Sequence, residues 1–334
     1  MMRFSPASVS ERIVTATSFE IRPGGSESNV AIALANLGEK AAFVTVLPEN
    51  PISNKVIRHL KGESVDTSNI KIRGERIGTY WTENGSGPRS SYVIYDRDFS
   101  AFSKLRPEDF SWDEILNKTQ WFHFSGISPA VGENVAILLT NLIKRIKIPY
   151  SVDLNFRNKL WKWVKRDKKK IKLIMSELCS NASLIAGNEF DFQDILGFNS
   201  NSSDEAEIYS DIANQCFELF SDLKYIAISN RVSHSANNNE WGGYLFVKNS
   251  EKFFYKSMVY KIDSIQDRVG TGDSFVAGVI YGLNKIDSMN WQQIINFATT
   301  LGALNHTTKG DASNFSADEV LNVIKTSGSG RIDR

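Results

Sequence analysis

The amino-acid sequence predicts an α/β protein in which a parallel sheet is covered by helices on both faces. Short β-rich segments alternate with helix-length segments along most of the 334 residues. Several of the β-rich segments are almost continuously apolar, as expected for strands that are buried on both faces. The repeated order of strand and then helix indicates parallel strand pairing through helical crossovers.

The predicted elements follow one another in a regular order. Strand-then-helix pairs are predicted at 41–47 and 52–61, 119–124 and 131–147, 149–154 and 163–178, and 183–186 and 189–196, with a helix at 204–219 before a strand at 224–229. Two regions, about 13–22 and 77–96, contain strands without helices, and Asn84 with Gly85 is a hairpin signal in the second. Because a two-stranded element seldom stands alone, we expect these regions to form a small sheet that covers part of the domain.

Composition excludes several classes of protein. The chain has 39 Lys and Arg against 38 Asp and Glu, so its net charge of +1 recruits neither nucleic acid nor an anionic membrane. No apolar stretch reaches the ~20 residues of a membrane-spanning helix. With only Cys179 and Cys216, a disulfide framework is not expected either. We therefore expect a cytoplasmic enzyme, with a frayed tail at 327–334.

A basic run at 159–172 (KLWKWVKRDKKKIK) has two interpretations. A nucleic-acid interface is one, but a single basic segment in a chain of balanced charge is weak support for it. We favour the second, in which the lysines form the solvated face of a surface helix and Trp161 and Trp163 pack beneath it.

The strongest chemical signal is Asp267-Arg-Val-Gly-Thr-Gly-Asp273, followed at once by an apolar helical segment. Gly270 and Gly272 allow positive φ and close backbone approach, and loop amides at a helix N-terminus form an anion site. Because Asp273 would repel phosphate, it is better interpreted as a base that accepts a proton from an attacking hydroxyl. The alternative is a capping aspartate, with glycines present for packing.

Two further motifs precede helices. Gly24-Gly25 is followed by Asn29 near the start of an apolar helix, and Asn188-Glu-Phe-Asp191 follows an apolar strand. The carboxyl end of such a strand is where α/β sheets usually bind ligands. Taken alone, the Gly24-Gly25 motif is at least as well explained as a turn with a helix cap.

Together these motifs resemble the ribokinase-like (phosphofructokinase-B type) sugar kinases. The GG-x-x-x-N and D-x-x-G-x-G-D elements stand in the order and separation of that family. Similarity to its 2-keto-3-deoxygluconate kinases extends over nearly the whole chain. The similar stretches are 94–97 (IYDR), 121–127 (WFHFSGI), 151–157 (SVDLNFR), 160–161 (LW), 187–189 (GNE) and 304–311 (LNHTTKGD).

The resemblance implies one three-layer α/β/α domain over 1–334, with a mostly parallel central sheet and a small β-sheet lid. It implies Mg²⁺- and ATP-dependent phosphorylation of the terminal (6-) hydroxyl of 2-keto-3-deoxygluconate. Asp273 corresponds to the general base, and Gly270, Thr271 and Gly272 correspond to the anion hole. The other implied roles are sugar contacts by Gly25, Asn29, Tyr80, Tyr95, Arg97 and Arg157, nucleotide contacts by Asn188, Ser229, Arg231, Gly270 and Gly272, and a metal contact through water by Asp191.

Two of these residues bear on the substrate. A sugar acid needs a cationic partner for its carboxylate, and arginine offers a bidentate fork that lysine lacks. Arg97 lies on the predicted lid and Arg157 just past a core strand, so we expect them to converge when the lid closes.

The chain also departs from the family pattern. Thr271 stands where relatives have Ala or Gly, which would tighten the anion hole or add a hydroxyl donor. Asp191 replaces the more common Glu and reaches less far. The loop 230–241 lacks the usual Lys-x-Gly-x-x-Gly pattern, which leaves the adenine contacts open. At the segment 1–6, relatives have several more residues of the first strand, so we expect either a shortened central strand or a truncated gene sequence.

Two other functions remain open at this level. One is another sugar kinase of the family, of the fructokinase or ribokinase type. The other is a catalytically silent kinase fold that serves as an interaction module, which the retained Asp273 and loop glycines disfavour. The expected partners are a small sugar acid and ATP, without nucleic acid or membrane, and a homo-oligomer is left open.

Overall fold

The computed structural model describes residues 1–8, 11–326 and 328, so the expected frayed tail at 327–334 falls outside it except for Gly328. The strands are β1 (Met2–Pro6), β2 (Phe19–Pro23), β3 (Thr45–Leu47), β4 (Ile70–Ile72), β5 (Thr79–Glu83), β6 (Tyr92–Asp96), β7 (Phe122–Ser125), β8 (Tyr150–Asp153), β9 (Leu184–Asn188), β10 (Tyr225–Ser233), β11 (Asn239–Val247), β12 (Phe254–Lys256) and β13 (Tyr260–Ile262). The α-helices are α1 (Ser26–Asn36), α2 (Pro51–Gly62), α3 (Trp112–Asn117), α4 (Ile127–Ala130), α5 (Glu133–Ile143), α6 (Lys168–Cys179), α7 (Glu189–Asp191), α8 (Glu205–Leu219), α9 (Thr271–Asn284), α10 (Trp291–Asn305) and α11 (Ala317–Lys325).

The large sheet has the order β12-β11-β10-β9-β8-β7, and β13 also pairs with β11. Its strands β7 to β10 are parallel, whereas β11, β12 and β13 extend one edge in antiparallel pairing. The sheet is therefore mixed, and its parallel part carries the ends of β8, β9 and β10 to a common edge. Strands β3 and β4 form a separate parallel pair. Within the described part of the chain, no helix is long and apolar enough to cross a membrane.

Helices cover both faces of the large sheet, which confirms the predicted three-layer α/β/α architecture. Side chains along a strand alternate between the two faces, and neighbouring residues here enter two different apolar cores. Ile185 and Ile226 join the core formed with α5, α6 and α8. Leu184 and Ala227 join the core formed with α1, α9 and α10. This explains why the sequence of these strands is continuously apolar.

A second sheet, in the order β2-β1-β5-β6, forms the lid. Met2–Pro6 pairs with β2 in antiparallel and with β5 in parallel orientation, so the expectation that this segment continues a central strand is wrong. Arg3 explains the placement, because its buried side chain reaches across to ion pairs with Asp267 and Asp311 beside the glycine loop. The strand predicted from residue 13 begins only at Phe19, and the residues before it form turns and bends.

The predicted hairpin is present in the lid, but its turn lies elsewhere. The last pair is Glu83 with Tyr92, and the turn is made by Gly87 and Pro88 between Ser86 and Arg89 rather than by Asn84 and Gly85. Ser86 and Arg89 exchange both backbone hydrogen bonds, at 2.9 and 3.0 Å. Gly87 has a φ of 54°, which suits glycine at the first central position of a type II′ turn.

The basic segment is only partly the predicted surface helix. The helix begins at Lys168, and the residues before it form a short 3₁₀ helix and turns. Trp161 is fully buried, and Trp163 donates its indole N–H to the carbonyl of Pro129 at 3.1 Å. The lysine side chains are exposed, and Lys168 makes an exposed ion pair with Asp194. The solvated-face interpretation therefore agrees with the packing.

We expect replacement of Lys168, Lys169 and Lys170 by Ser to leave catalytic turnover unchanged. An exposed ion pair contributes only about 0.2–1 kcal/mol, and lysines in the first turn of α6 oppose the helix dipole. Turnover and a gel-shift assay with short DNA and RNA at physiological salt check this. Binding at submicromolar protein that weakens with salt and disappears in the triple variant would contradict it.

Candidate active site

A cleft of about 770 Å³ lies between the lid and the carboxyl ends of β8, β9 and β10. The start of α9 and the loop before it close one side. The cleft is lined by all of the residues singled out from the sequence, namely Gly25, Asn29, Tyr80, Tyr95, Arg97, Arg157, Asn188, Asp191, Ser229, Arg231, Gly270, Thr271, Gly272 and Asp273. The fold thus brings together residues that are spread over 249 positions of the sequence, from 25 to 273.

The two glycines of the loop differ in whether the structure requires glycine at their position. Gly270 has a φ of 83°, and a Cβ there would lie 1.5 Å from the carbonyl oxygen of Asp311. Only glycine fits at that position. A Cβ on Gly272 would meet no atom within 4 Å, so the expected close packing applies to Gly270 alone. The hydroxyl of Thr271 donates to the carbonyl of Arg268 at 3.2 Å, so it does not add a free donor to the anion hole.

We expect Gly270→Ala to lower the free energy of unfolding by about 1–3 kcal/mol through backbone strain alone, with a further loss from the contact with Asp311. Gly272→Ala is the matched control, and its stability should equal or slightly exceed that of the wild type because alanine favours helix more than glycine. Urea denaturation of both variants measures the difference. Equal unfolding midpoints for the two variants would contradict this account of the loop.

Asp273 is buried at the start of α9, where both of its carboxylate oxygens accept hydrogen bonds. Ser26 donates to Oδ1 at 2.6 Å and Asn29 donates to Oδ2 at 2.7 Å. Burial raises the pKa of Asp273 to about 6, and these two bonds oppose that increase, whereas Asp311 and Glu27 add to it. The interpretation of Asp273 as a helix cap is wrong, because Gly270 is the N-cap and the Asp273 side chain bonds to residues of α1.

Asn29 was predicted to contact the sugar, and the structure gives its amide a partner on the protein. The bond from Asn29 to Asp273 joins α1 to α9 and holds the carboxylate that faces the cleft. Gly25, at the N-terminus of α1, has a φ of 145°, a conformation that favours glycine. The GG-x-x-x-N motif therefore positions the buried acid, whatever contact it also makes with a ligand.

Arg97 is a buried cation at the lid end of the cleft. Its guanidinium centre lies 5.5 Å from the ring centre of Tyr80 and 4.9 Å from that of Tyr95, two residues that face each other across β5 and β6. Burial lowers the pKa of Arg97, yet a guanidinium stays charged in proteins. Its Nε has no hydrogen-bond partner, and no carboxylate of residues 1–8, 11–326 or 328 forms an ion pair with it. A buried charge of this kind indicates an anionic ligand.

A buried ion-pair network behind the cleft was not found from the sequence. The hydroxyl of Tyr80 donates to Asp311, whose other oxygen accepts from Arg3 at 2.7 Å. Arg3 also pairs with Asp267 at 2.7 Å, and Asp267 accepts from the amide groups of Arg268 and Val269. The network ties the lid strand β1 to the glycine loop. The Asp267 position belongs to the quoted motif, but no sequence pattern identifies Arg3 as its partner.

Three further arginines line the rest of the cleft. Arg157 is exposed and donates to the carbonyl of Phe156. Burial lowers the pKa of Arg231, and the charge of Arg157 lowers it further. Arg268, which the sequence analysis did not select, donates to Ser235 and to Asn239 at 2.7 and 3.1 Å. The charges of Arg231 and Arg268 suit the phosphates of a nucleotide.

Asn188 and Asp191 form a capping box at the end of β9. The Asp191 carboxylate accepts from the backbone and side chain of Asn188 and from the amide of Phe156, and burial raises its pKa. The Asp191 carboxylate lines the cleft, and an oxygen donor of this kind suits Mg²⁺. Among the described residues no three His, Cys, Asp or Glu side chains are placed to hold a metal ion directly. The cleft thus fits a magnesium ion carried by nucleotide phosphates and water, as expected for this metal.

This combination of a lidded α/β/α fold, an anion-binding loop and a buried acid defines a ribokinase-like sugar kinase. A sequence profile of the pfkB family carbohydrate kinases matches residues 1–219 and 242–318, and the chain belongs to this family. The protein is accordingly a carbohydrate kinase, a phosphotransferase that acts on an alcohol group. The resemblance inferred from the motifs is confirmed.

The chain is similar to relatives of known name. The crystal structure of 2-dehydro-3-deoxygluconokinase from Thermotoga maritima is 35% identical with a TM-score of 0.90, and the match covers 97% of each chain. The 2-dehydro-3-deoxygalactonokinase of Haloferax volcanii is 29% identical over 337 residues, which cover all of this chain and 96% of the relative. A putative ribokinase II from E. coli, in complex with ATP and Mg²⁺, is 16% identical with a TM-score of 0.76 over 97% of this chain and 96% of its own, and it shares the fold.

Proposed function

We propose that this carbohydrate kinase transfers the γ-phosphoryl group of ATP to the 6-hydroxyl of 2-keto-3-deoxygluconate (2-dehydro-3-deoxygluconate). The observation that carries the proposal is Arg97, a buried cation at the lid end of the cleft whose Nε lacks a hydrogen-bond partner and which forms no ion pair with a carboxylate of the described residues. The carboxylate of a sugar acid would neutralise it, whereas a neutral sugar would leave the charge unpaired. The names of the two relatives with 29% and 35% identity support a substrate of this class.

In the proposed reaction, Asp273 accepts the proton of the sugar hydroxyl as that oxygen attacks the γ-phosphorus. Its deprotonated form dominates at neutral pH because its pKa is about 6. The amide groups of Gly270, Thr271 and Gly272 point from the first turn of α9, where helix amides lack intrahelical partners, and stabilise the charge on the transferring group. Phosphoryl transfer needs such positioning more than covalent chemistry.

The remaining roles are proposed from the family resemblance, and all of these residues line the cleft. We assign Tyr95, Arg157 and Gly25 to the sugar together with Arg97, and Asn188, Ser229 and Arg231 to the nucleotide. Tyr80 would contact the sugar through its ring rather than its hydroxyl, since the hydroxyl is bonded to Asp311. Asp191 would hold Mg²⁺ through water. The metal, when bound, neutralises charge on the ATP phosphates.

A coupled assay of ADP release tests the proposal with 2-keto-3-deoxygluconate, its galactonate epimer, fructose and ribose. We expect the highest kcat/KM for a 2-keto-3-deoxy sugar acid and loss of activity when EDTA removes Mg²⁺. Phosphorus NMR of the product should place the new phosphate on the 6-oxygen. Equal or better use of fructose or ribose would replace the proposal with the fructokinase or ribokinase type, and no activity on any sugar would favour a silent module.

The proposal also places the enzyme in the cytoplasm, where ATP is available. Cys179 and Cys216 are buried and unpaired, which agrees with a reducing compartment. Fractionation of the source cells followed by the ADP-release assay tests this, and activity confined to a membrane or external fraction would contradict it.

A further inference from the structure

Asp273 stands at the end of a chain of buried hydrogen bonds that the sequence motifs do not predict. Asn155 donates through its side-chain nitrogen to Asp153 and to Ser26, both at 3.1 Å. Ser26 then donates to Oδ1 of Asp273 at 2.6 Å. The four residues have at most 8% of their surface exposed. The chain connects the end of β8 with the first turns of α1 and α9.

In this chain of hydrogen bonds, the donor and the acceptor of each bond are fixed by chemistry. The amide nitrogen of Asn155 carries two hydrogens and no acceptor lone pair, so it can only donate, once to Asp153 and once to Ser26. Because the oxygen of Ser26 thereby accepts a hydrogen bond, its own hydrogen is directed to Asp273. Asn155 holds this geometry at a φ of 37°, a conformation that asparagine tolerates better than most residues.

The hydrogen bond from Ser26 matters because the surroundings of Asp273 raise the pKa of its carboxyl. Asp311 from the loop after α10 and Glu27 from α1 raise the pKa of Asp273, and burial together with the charge of Asp273 raises the pKa of Asp153 at the end of β8. Among the described residues, hydrogen bonds from Ser26 and Asn29 offset the effect of burial and of these two acids on the pKa of Asp273. Asn29 belongs to the sequence motif of the family. Ser26 does not, and its role is inferred from its contacts in this protein.

We propose that Ser26, oriented by Asn155 and Asp153, is a positioning residue that holds the Asp273 carboxylate for proton transfer and sets the pH range in which it works. The inference rests on the proposed function, in which Asp273 is the general base. Ser26 does not touch the substrate in this role. It acts through Asp273, and so its removal should change the pH dependence of the enzyme.

The first test is the pH profile of kcat/KM for Ser26→Ala. Hydrogen bonds to a charged group contribute enough to shift its pKa by about one unit, so the acidic limb should move to higher pH by about one unit. From a limb near pH 6, this gives about a fivefold loss at pH 6 and a change below about twofold at pH 8. Ionisation of ATP affects both proteins alike. An unmoved limb would overturn the proposal.

Ser28→Ala is the matched control. Ser28 is buried on the same helix, but its hydroxyl donates to the carbonyl of Gly25 at 2.8 Å and makes no bond to Asp273. Its acidic limb should coincide with that of the wild type. The same upward shift in Ser28→Ala would mean that any change in α1 moves the profile, and would overturn the assignment to Ser26.

A second variant separates orientation from packing. Asn155→Gly tolerates the positive φ and removes the donor, so the limb should move in the same direction as in Ser26→Ala but less far. If Asn155 acts through Ser26, the double variant should have the limb of Ser26→Ala alone. If the pH shifts of the two single variants add in the double variant, Asn155 does not act through Ser26, and the proposal is overturned.

Infrared difference spectra between the wild type and Asp273→Asn report the titration of this carboxyl without substrate. Ser26→Ala should raise the titration midpoint by about one unit. If no sugar is phosphorylated, the spectra still decide whether Ser26 controls the carboxyl. If the kinase is active but the midpoint does not move, the inference fails and the proposed function stands.

Discussion

Replacement of Asp273 by Asn should lower kcat by about 10²–10⁴-fold while the affinities for ATP and sugar stay near those of the wild type. Asparagine has the shape of aspartate and keeps an oxygen that can accept from Asn29 or Ser26. It cannot accept the proton of the sugar hydroxyl at neutral pH. The loss corresponds to roughly 3–5 kcal/mol of activation free energy.

Steady-state kinetics and calorimetric titration with ATP and sugar measure the two parts of this expectation. Asp194→Asn is the control, because Asp194 is an exposed acid whose ion-pair partner among the described residues is the exposed Lys168, and its kcat should be that of the wild type. A near-normal kcat in Asp273→Asn would remove Asp273 from the role of base. Loss of binding together with turnover would instead indicate a structural role for this carboxyl.

The apolar pattern was sufficient to predict the layered core. Strands β8 and β9 and the first half of β10 are largely buried on both faces, so their local sequence reports their environment directly. The lid could not be predicted in the same way. The sequence of Met2–Pro6 does not indicate its partners, because a strand's place in a sheet depends on pairing with distant segments. Arg3, for example, bonds to Asp311, 308 positions away in the sequence.

The site shows the same division between local and distant information. The glycine loop and Asp273 were predicted because the residues that define them form a motif of seven consecutive positions. Ser26, Asn155 and Asp153 were missed, although Asp153 and Asn155 lie in a stretch that resembles the family. Their importance comes from hydrogen bonds across the fold, such as that between Ser26 and Asp273, 247 positions apart. A serine after two glycines has no feature that predicts such a partner.

The two arginines at the sugar end should differ in their contribution to substrate choice. Arg97 is 8% exposed and lacks a carboxylate partner among the residues the structure describes. Arg157 is exposed and already bonded to its own neighbour's carbonyl. Since a charge interaction strengthens as water is excluded, we expect Arg97→Leu to lower kcat/KM for the sugar acid more than Arg157→Leu does.

Neither variant should lose much activity on a neutral sugar that the enzyme accepts. A pocket built to bind a charged group can discriminate against an analogue that lacks it by up to ~10⁴-fold, and Arg97→Leu should remove most of that preference. Replacing a buried, unpaired cation with an apolar side chain also removes a desolvation cost, so this variant should fold at least as stably as the wild type. Thermal unfolding of the variant shows whether lost activity reflects lost structure.

Arg22→Leu provides the control within the lid, because Arg22 is 45% exposed on β2 and pairs with Glu20 at the surface. Its preference for the sugar acid should be that of the wild type. Kinetics of the three variants on 2-keto-3-deoxygluconate and fructose decide between the alternatives. If Arg97→Leu lowers kcat/KM equally for both sugars, Arg97 supports the lid rather than recognising a carboxylate. In that case the buried charge is a structural feature of the lid, and the fructokinase or ribokinase type becomes the better description of the enzyme.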